Sequence, residues 1–137
     1  DYPSVLESWK NPSGSLSAGS TSRGLLLGSQ ELAFDGDHHT IIPRARPRNT
    51  RFGHPTMLAI LKDSGEAVAR QFPGSKIAIG NIAYKNGGDI RWSVSHNSGR
   101  DAGIAFYVKD AKTGTPLEAA PNRPQPTAHR RSLSPNF

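Results

Sequence analysis

A histidine and an acidic residue frame the segment of this sequence that is best suited to chemistry. Ser95 and His96 end a polar stretch, Gly99 provides a turn, and Asp101 follows shortly before an apolar run. An imidazole nitrogen and a carboxylate oxygen are both good zinc ligands, at about 2.0–2.2 Å from the metal. The two side chains could therefore converge on one metal ion. The alternative is a loop histidine beside a solvated aspartate, because two ligands do not make a metal site.

The pattern around this segment predicts an α+β fold, with a small antiparallel sheet and one main helix. The helix is expected to begin at Pro55, because proline suits the first helical position, and to end before Pro73 and Gly74. Apolar side chains recur within it at steps of three and four residues. Gly65, which weakens a helix, indicates close packing against a neighbouring backbone. The predicted apolar face consists of Met57, Leu61, Ser64, Val68 and Phe72.

Short strands are predicted on both sides of the helix, where apolar runs are bounded by turn residues. They fall at residues 25–27, 41–42, 76–84 with an interruption at Gly80, 91–94 and 104–108, with a hairpin loop at 110–115. Residues 1–22 are rich in Ser, Gly and Pro and are expected to form an extended N-terminal arm. Residues 23–118 form the domain. Residues 119–137 form a Pro-rich basic tail, expected to be disordered because it lacks apolar side chains to bury.

Composition excludes several classes of protein. The 137 residues allow one modest domain, and the absence of Cys rules out both a disulfide scaffold and a Cys-ligated zinc finger. No apolar run approaches the roughly 20 residues that cross a bilayer, so no membrane span is expected. The chain starts at Asp1 rather than Met, which we interpret as a processed or cloning boundary, so that an export signal removed before it would not be seen.

Two blocks of sequence together resemble a known family. The first is Arg48-Asn49-Thr50-Arg51-Phe52-Gly53-His54-Pro55, at the start of the predicted helix. The second is Gly87-Gly88 followed by Ser95-His96 and Gly99-Arg100-Asp101-Ala102-Gly103-Ile104. In order and spacing they are similar to the penicillin-insensitive murein endopeptidases, zinc peptidases of the bacterial envelope. The resemblance covers about residues 14 to 118.

The resemblance implies a periplasmic or secreted zinc metallopeptidase that cleaves D-alanyl–diaminopimelate cross-links of peptidoglycan. In that family, zinc polarises the scissile amide and lowers the pKa of its bound water to about 7. His96 falls on the family's first zinc ligand. The resemblance further implies peptide stems of peptidoglycan as partners, with Arg48, Asn49, His54 and Ser95 as substrate-binding residues.

The sequence departs from the family pattern at two places. The family's aspartate ligand falls on Gly103, whereas Asp101 matches the acidic position before it, from which it would reach a metal poorly. The family's downstream His-x-His motif is absent, and His129 is the only histidine after His96. No catalytic residue can therefore be assigned, zinc binding is in doubt, and we expect an inactive or very feeble enzyme. We expect that the downstream half has been lost or altered.

The basic run from Arg44 to Arg48 leaves alternatives open. It is interpreted as a solvated, extended loop, as a rim that faces the carboxylates of peptidoglycan stems, or as a nucleic-acid contact. A net charge of +6 suits nucleic acid, but an aromatic content of 7% and the lack of a recognition helix argue against it. The competing functions are thus a zinc endopeptidase with an impaired metal site, a non-catalytic module that binds cell-wall peptide, and a basic nucleic-acid-binding protein.

Overall fold

The architecture is α+β, as the sequence predicted. A computed structural model describes residues 14–105 and 107–117. Within these ranges the chain forms nine short strands, one α-helix (α1) and one 3₁₀ helix. The elements in chain order are β1 (Leu16–Ser20), β2 (Arg23–Leu27), β3 (Gln30–Glu31), β4 (His39–Ile41), the 3₁₀ helix (Pro43–Arg48), β5 (Phe52–Gly53), α1 (Pro55–Gln71), β6 (Ile77–Ile79), β7 (Ile104–Ala105), β8 (Val108–Lys109) and β9 (Pro116–Leu117).

The described strands form four small sheets. β1 pairs with β2, β3 with β5, and β8 with β9, all antiparallel. The fourth sheet has the order β4-β6-β7, in which β4 and β6 are parallel and β6 and β7 antiparallel. A parallel pair requires a long crossover connection, and here that connection contains α1. The strand pairs are therefore antiparallel, as predicted, except for the parallel pair of β4 and β6.

Helix α1 begins and ends where the sequence predicted. Pro55 is its first residue, and the ring of His54 accepts a hydrogen bond from Thr56 N at 3.2 Å, which caps the N-terminus. The buried face differs from the predicted one, because it consists of Leu58, Leu61 and Gly65.

Gly65 is buried against the chain that leads into β4. A Cβ atom at this position would lie 2.6 Å from the carbonyl oxygen of His38, so only glycine lets the two backbones approach. The close packing that the sequence indicated at Gly65 is confirmed.

The main core lies between α1 and the three-stranded sheet. Its buried members come from the helix, from β4 and β6, and from the segments beside them. Side chains from the helix and the sheet interlock there, which fixes the position of every loop that leaves the end of the sheet. The cluster contains Leu32, Ile41, Ala45, Leu58, Leu61, Ile77, Ile79 and Ile82.

One predicted strand and the second half of another are not present among the described residues. Residues 91–94 form turns with a single bridge between Ile90 and Ser93, and Trp92 and Val94 are exposed. Residues 81–84 are irregular apart from a bridge between Arg51 and Ala83. The predicted strand at 104–108 is divided into β7 and β8, whereas the hairpin loop between β8 and β9 is confirmed.

The predicted N-terminal arm is described only from residue 14 onward, where it enters the hairpin of β1 and β2. The rest of the arm and the tail at 119–137 lie outside the described residues. In the part of the chain that is described, no helix has the length and apolar character needed to traverse a membrane.

The basic run is folded as a 3₁₀ helix and is anchored by one of its arginines. Arg46 forms an ion pair of 2.7 Å with Asp35 and donates a second hydrogen bond to the carbonyl of Ile41 at 3.0 Å. Thr40 also donates to Asp35, at 2.7 Å. The hydrogen bond from Arg46, reinforced by that from Thr40, lowers the pKa of the Asp35 carboxyl below its ordinary value of 3.8.

We expect this anchor to weaken in acid. Because the folded pKa of Asp35 is depressed, its contribution to stability is present above about pH 4 and is lost as the pH falls through the folded pKa. The effect should be small, since Asp35 is half exposed. Urea unfolding of the wild type and of Asp35→Asn between about pH 2 and 6 measures it. Equal acid dependence in both proteins would contradict this expectation.

Candidate functional site

His96 lies in a loop whose backbone is held in an uncommon conformation. Its φ angle is 75°, in the left-handed region that non-glycine residues seldom adopt. The next two residues, Asn97 and Ser98, are almost completely buried at 1% and 0% exposure. A strained residue persists only where its surroundings fix it, and such residues cluster at functional sites. The buried residues after His96 therefore hold its backbone in this conformation.

Hydrogen bonds from distant parts of the chain fix this loop. The hydroxyl of Ser17 on β1 donates to the carbonyl of Ser98 at 2.6 Å, and the backbone N–H of His54 donates to the carbonyl of Gly99 at 3.0 Å. The side-chain amide of Asn97 donates to Asp89 at 2.6 Å. The N-terminal hairpin, the start of α1 and the turn before the loop thus all support His96.

The ring of His96 is oriented by a carboxylate. Its Nδ1 atom lies 2.6 Å from Asp101 Oδ2, which is an ion-pair distance. The contact is off the ideal direction for a hydrogen bond, and no other described group bonds to Nδ1. The contact is therefore a close approach of the ring to a carboxylate, not a hydrogen bond that assigns the tautomer. Asp101 therefore lies on the Nδ1 side of the ring.

Gly103 faces the other ring nitrogen. A Cβ atom built on Gly103 would lie 3.8 Å from His96 Nε2 and 3.7 Å from the backbone nitrogen of Asn81, which are ordinary contact distances. The residues from Asp101 to Gly103 are irregular rather than a strand. A Cβ at position 103 would thus contact both the Asn81 backbone and Nε2, whereas Asp101 lies against Nδ1.

A cavity of about 260 Å³ opens beside His96. Its walls come from the 3₁₀ helix, from the end of β6, from the turn at 92–93 and from the start of β7. The charged residues that line it are Arg44 and Arg48, together with the ionisable His96, and no described Asp or Glu contributes to the lining. The arrangement suits a small anionic ligand.

Arg48 stacks on Trp92 in the wall of this cavity. The carbon at the centre of the guanidinium lies 4.6 Å from the centroid of the indole ring, within the range of a cation–π contact. The sequence left open whether the basic run is a solvated loop or an anion-facing rim. The structure divides the run, because Arg44 and Arg48 line the cavity whereas Arg46 pairs with Asp35.

The other predicted substrate-binding residues lie around the cavity rather than in its lining. Asn49 ends the 3₁₀ helix with a φ of 58° and is exposed. His54 is buried at 1% exposure, where it caps α1. Ser95 lies 3.2 Å from the hydroxyl of Ser93, and it is Ser93 that contributes to the lining. Of the four predicted residues, the structure brings Arg48 together with His96.

Asn81 is a lining residue that sequence reasoning did not single out. It follows Gly80 at the end of β6, its side-chain oxygen accepts a hydrogen bond of 2.9 Å from Thr50, and its backbone carbonyl accepts one from Gly103 N. It was interpreted only as part of a strand. A polar residue directly after the Gly80 interruption was the available signal, because chains that leave the end of a sheet commonly line binding clefts.

The described residues do not fit a zinc ion. Zinc sites use three or four protein ligands, and within residues 14–105 and 107–117 no group of three or more His, Cys, Asp or Glu side chains could hold a metal. His96 offers one nitrogen, and the position opposite it is Gly103. His129 lies outside the described residues. The described residues therefore supply no site for a metal that would activate a water molecule for hydrolysis.

Comparison with known proteins identifies the family. The family model for penicillin-insensitive murein endopeptidases matches residues 17–132, which is most of the chain. A search among curated proteins found no match. The matched region includes both sequence blocks noted above, the hairpin that supports the His96 loop and the cavity itself. On the extent of this match, the chain belongs to the penicillin-insensitive murein endopeptidase family.

Proposed function

We infer that this chain is a murein endopeptidase-type domain that binds the D-alanyl–diaminopimelate cross-links of peptidoglycan in the His96 cavity and, because its metal site is impaired, cleaves them at most very slowly. Membership of the family implies peptidoglycan as the substrate, and it suggests a metal and a location in the cell envelope. The cross-link, zinc as the metal, His96 as its first ligand and a periplasmic or secreted location are parts of the proposal.

One observation carries the proposal. His96 lines the cavity next to residue 103, with 3.8 Å between its Nε2 and a Cβ built there, and that residue is glycine. The fold therefore supplies a ligand-binding cleft with one correctly aimed imidazole, while the described residues provide no second metal ligand beside it. These features support substrate recognition more strongly than hydrolysis. Arg48 would contact the substrate, whereas Asn49, His54 and Ser95 would hold the surrounding backbone in place.

The same observation favours a second candidate, a module that binds cell-wall peptide without cutting it. Both candidates use the cavity, but they differ in whether a bond is broken. Arg44 and Arg48 can attract an anionic peptide in either case, because Coulomb attraction does not depend on the metal. Hydrolysis requires an activated water, for which the described residues supply no metal site.

The two candidates are separated by incubating the full chain with purified peptidoglycan in the presence of zinc. We expect the chain to sediment with the polymer and to release cross-link cleavage products at no more than a trace level, detected by mass spectrometry of the soluble fraction. Cleavage that is abolished in His96→Ala would establish a working enzyme and contradict the impaired site. Absence of sedimentation at low salt would contradict both candidates.

A further inference from the structure

The cavity beside His96 contains positive charge that no described acidic side chain balances. Arg44 and Arg48 line it, and within the described residues neither forms an ion pair. The intervening Arg46 shows the contrast, because its guanidinium is occupied by Asp35. Two unneutralised arginines in one concave wall raise the local concentration of anions.

The stacking of Arg48 on Trp92 determines how an anion would be held. The central carbon of the guanidinium lies over the indole at 4.6 Å from the ring centroid, and no described acidic side chain pairs with its N–H groups. Planar guanidinium and planar carboxylate match in a two-bond geometry that a lysine ammonium cannot reproduce. Trp92 is 45% exposed, so the ring also offers apolar surface to the ligand.

The dimensions of the cavity limit the ligand. At about 260 Å³ it is smaller than the roughly 300–1,000 Å³ of sites for drug-sized molecules. Asn81 adds amide hydrogen bonding to the lining. We propose that Arg44 and Arg48 form a carboxylate-binding subsite that holds one amino-acid residue of a peptide through its free carboxylate.

This subsite rests on the proposed function for the identity of that peptide. In a diaminopimelate cross-link, the carbon that bears the bonded nitrogen also carries a free carboxylate, whereas a lysine cross-link has no carboxylate at that carbon. Arg44 and Arg48 would recognise this group and favour diaminopimelate stems over lysine stems. The recognition uses neither a metal nor a bond-breaking step, so it can be measured in the chain as it is.

The first test compares two probes that differ only in charge, N-acetyl-D-alanine and its carboxamide. The readout is the NMR signal of the Trp92 indole N–H, isolated by the substitution Trp9→Phe. We expect a saturable shift with the carboxylate and none with the carboxamide at equal concentration. Equal binding of both probes would overturn the proposal. Inorganic phosphate that binds as tightly as the carboxylate would show a general anion site and would also overturn it.

Variants then locate the interaction. Arg48→Ala should weaken carboxylate binding by about tenfold or more, because a charge-assisted pair of hydrogen bonds is lost. Arg48→Lys should retain part of the affinity, since the charge stays but the planar fork does not. The matched control is Arg70→Ala on α1, where the arginine pairs with Glu66. An equal loss in the Arg70 variant would mean that only net charge matters, contrary to the proposal.

A final comparison separates this inference from the proposed function. Meso-diaminopimelate should bind more tightly than lysine amide, which has no carboxylate, and this preference should disappear in Arg48→Ala. If the isolated carboxylates bind but the chain does not sediment with peptidoglycan, the subsite stands and the proposed function fails. If the chain sediments while its carboxylate probes leave the indole signal unchanged, the subsite is overturned and the function stands.

Discussion

Gly103→Asp is expected to convert the His96 cavity into a measurable zinc site. By isothermal calorimetry at neutral pH, the wild-type chain should show no tight 1:1 zinc binding. The variant should bind zinc more tightly by about tenfold or more, or about 1.4 kcal/mol, because a carboxylate oxygen joins the imidazole as a second ligand. The affinity should remain below that of a complete site, since the described residues offer no third ligand.

The geometry around Gly103 makes this substitution tolerable. Its φ is not in the left-handed region, and a new Cβ would meet Asn81 and His96 only at 3.7–3.8 Å. A Cβ can therefore be added at this position without a steric clash with the backbone. Asp101 lies against Nδ1, whereas the substituted position lies nearer to Nε2.

Gly103→Asn is the matched control, because its side chain has nearly the same shape without the charge. We expect its zinc affinity to stay at the wild-type level. Adding His96→Asn to the aspartate variant should remove the gain, and asparagine tolerates the left-handed backbone found at His96. The idea fails if the Asp and Asn variants bind zinc equally, or if the gain survives without His96.

Gly87→Ala is expected to destabilise the domain by about 3 kcal/mol and to displace the His96 loop. Gly87 has a φ of 72°, where a Cβ is strained, and that Cβ would lie 2.8 Å from the backbone nitrogen of Leu26. It would also overlap the carbonyl oxygen of Asn97. These neighbours are backbone atoms of β2 at the buried Leu26 and of the His96 loop, so neither can give way cheaply. Denaturant unfolding measures the free-energy change.

Gly88→Ala separates the two causes of this loss. Gly88 has a φ of 84°, but a Cβ there would have no atom within 4 Å, so its substitution adds strain without a clash. We expect it to cost about 1–2 kcal/mol, clearly less than the change at Gly87. The NMR signals of Asn97 and Ser98 should shift in the Gly87 variant and stay in place in the Gly88 variant. Equal losses of stability would mean that backbone strain alone matters.

The helix shows what local pattern can and cannot predict. Proline at its first position and the three- and four-residue spacing were enough to place α1, because these signals act within one or two turns. The buried face was shifted from the predicted one, since Met57 and Leu58 are adjacent and both fit an apolar stripe. The choice was made by the approach of residue 38 to Gly65, a contact that no local pattern encodes.

The strand predicted at 91–94 failed for a related reason. Trp92 and Val94 have high strand propensity, but that propensity reflects packing against neighbouring strands. Val94 is 88% exposed and the segment finds no partner beyond one bridge, so the chain turns there. The turn places Trp92 in contact with Arg48, although the two residues are far apart in the sequence.

The sequence predicted which residues belong to the candidate site better than it predicted how they are arranged. His96 and Asp101 were singled out from their spacing, and the structure places them in contact, although their metal-binding roles stay a prediction. The different roles of the arginines in the basic run could not be predicted, because they depend on an ion pair between Arg46 and Asp35, which lies in another segment. Asn81 was missed since its place in the lining arises only when β6 and β7 pair.

The bond between Ser17 and Ser98 has a consequence for the order of folding. The two residues are separated by 81 positions, so the loop that carries His96 reaches its place only after most of the chain has been gathered together. Closing so long a loop costs entropy before the contact can repay it, and distant contacts of this kind slow folding. Helix α1 can form early from local interactions, whereas the cavity belongs to the last structure to be completed. The recognition surface is therefore a property of the whole assembled domain, and no short fragment around His96 would reproduce it.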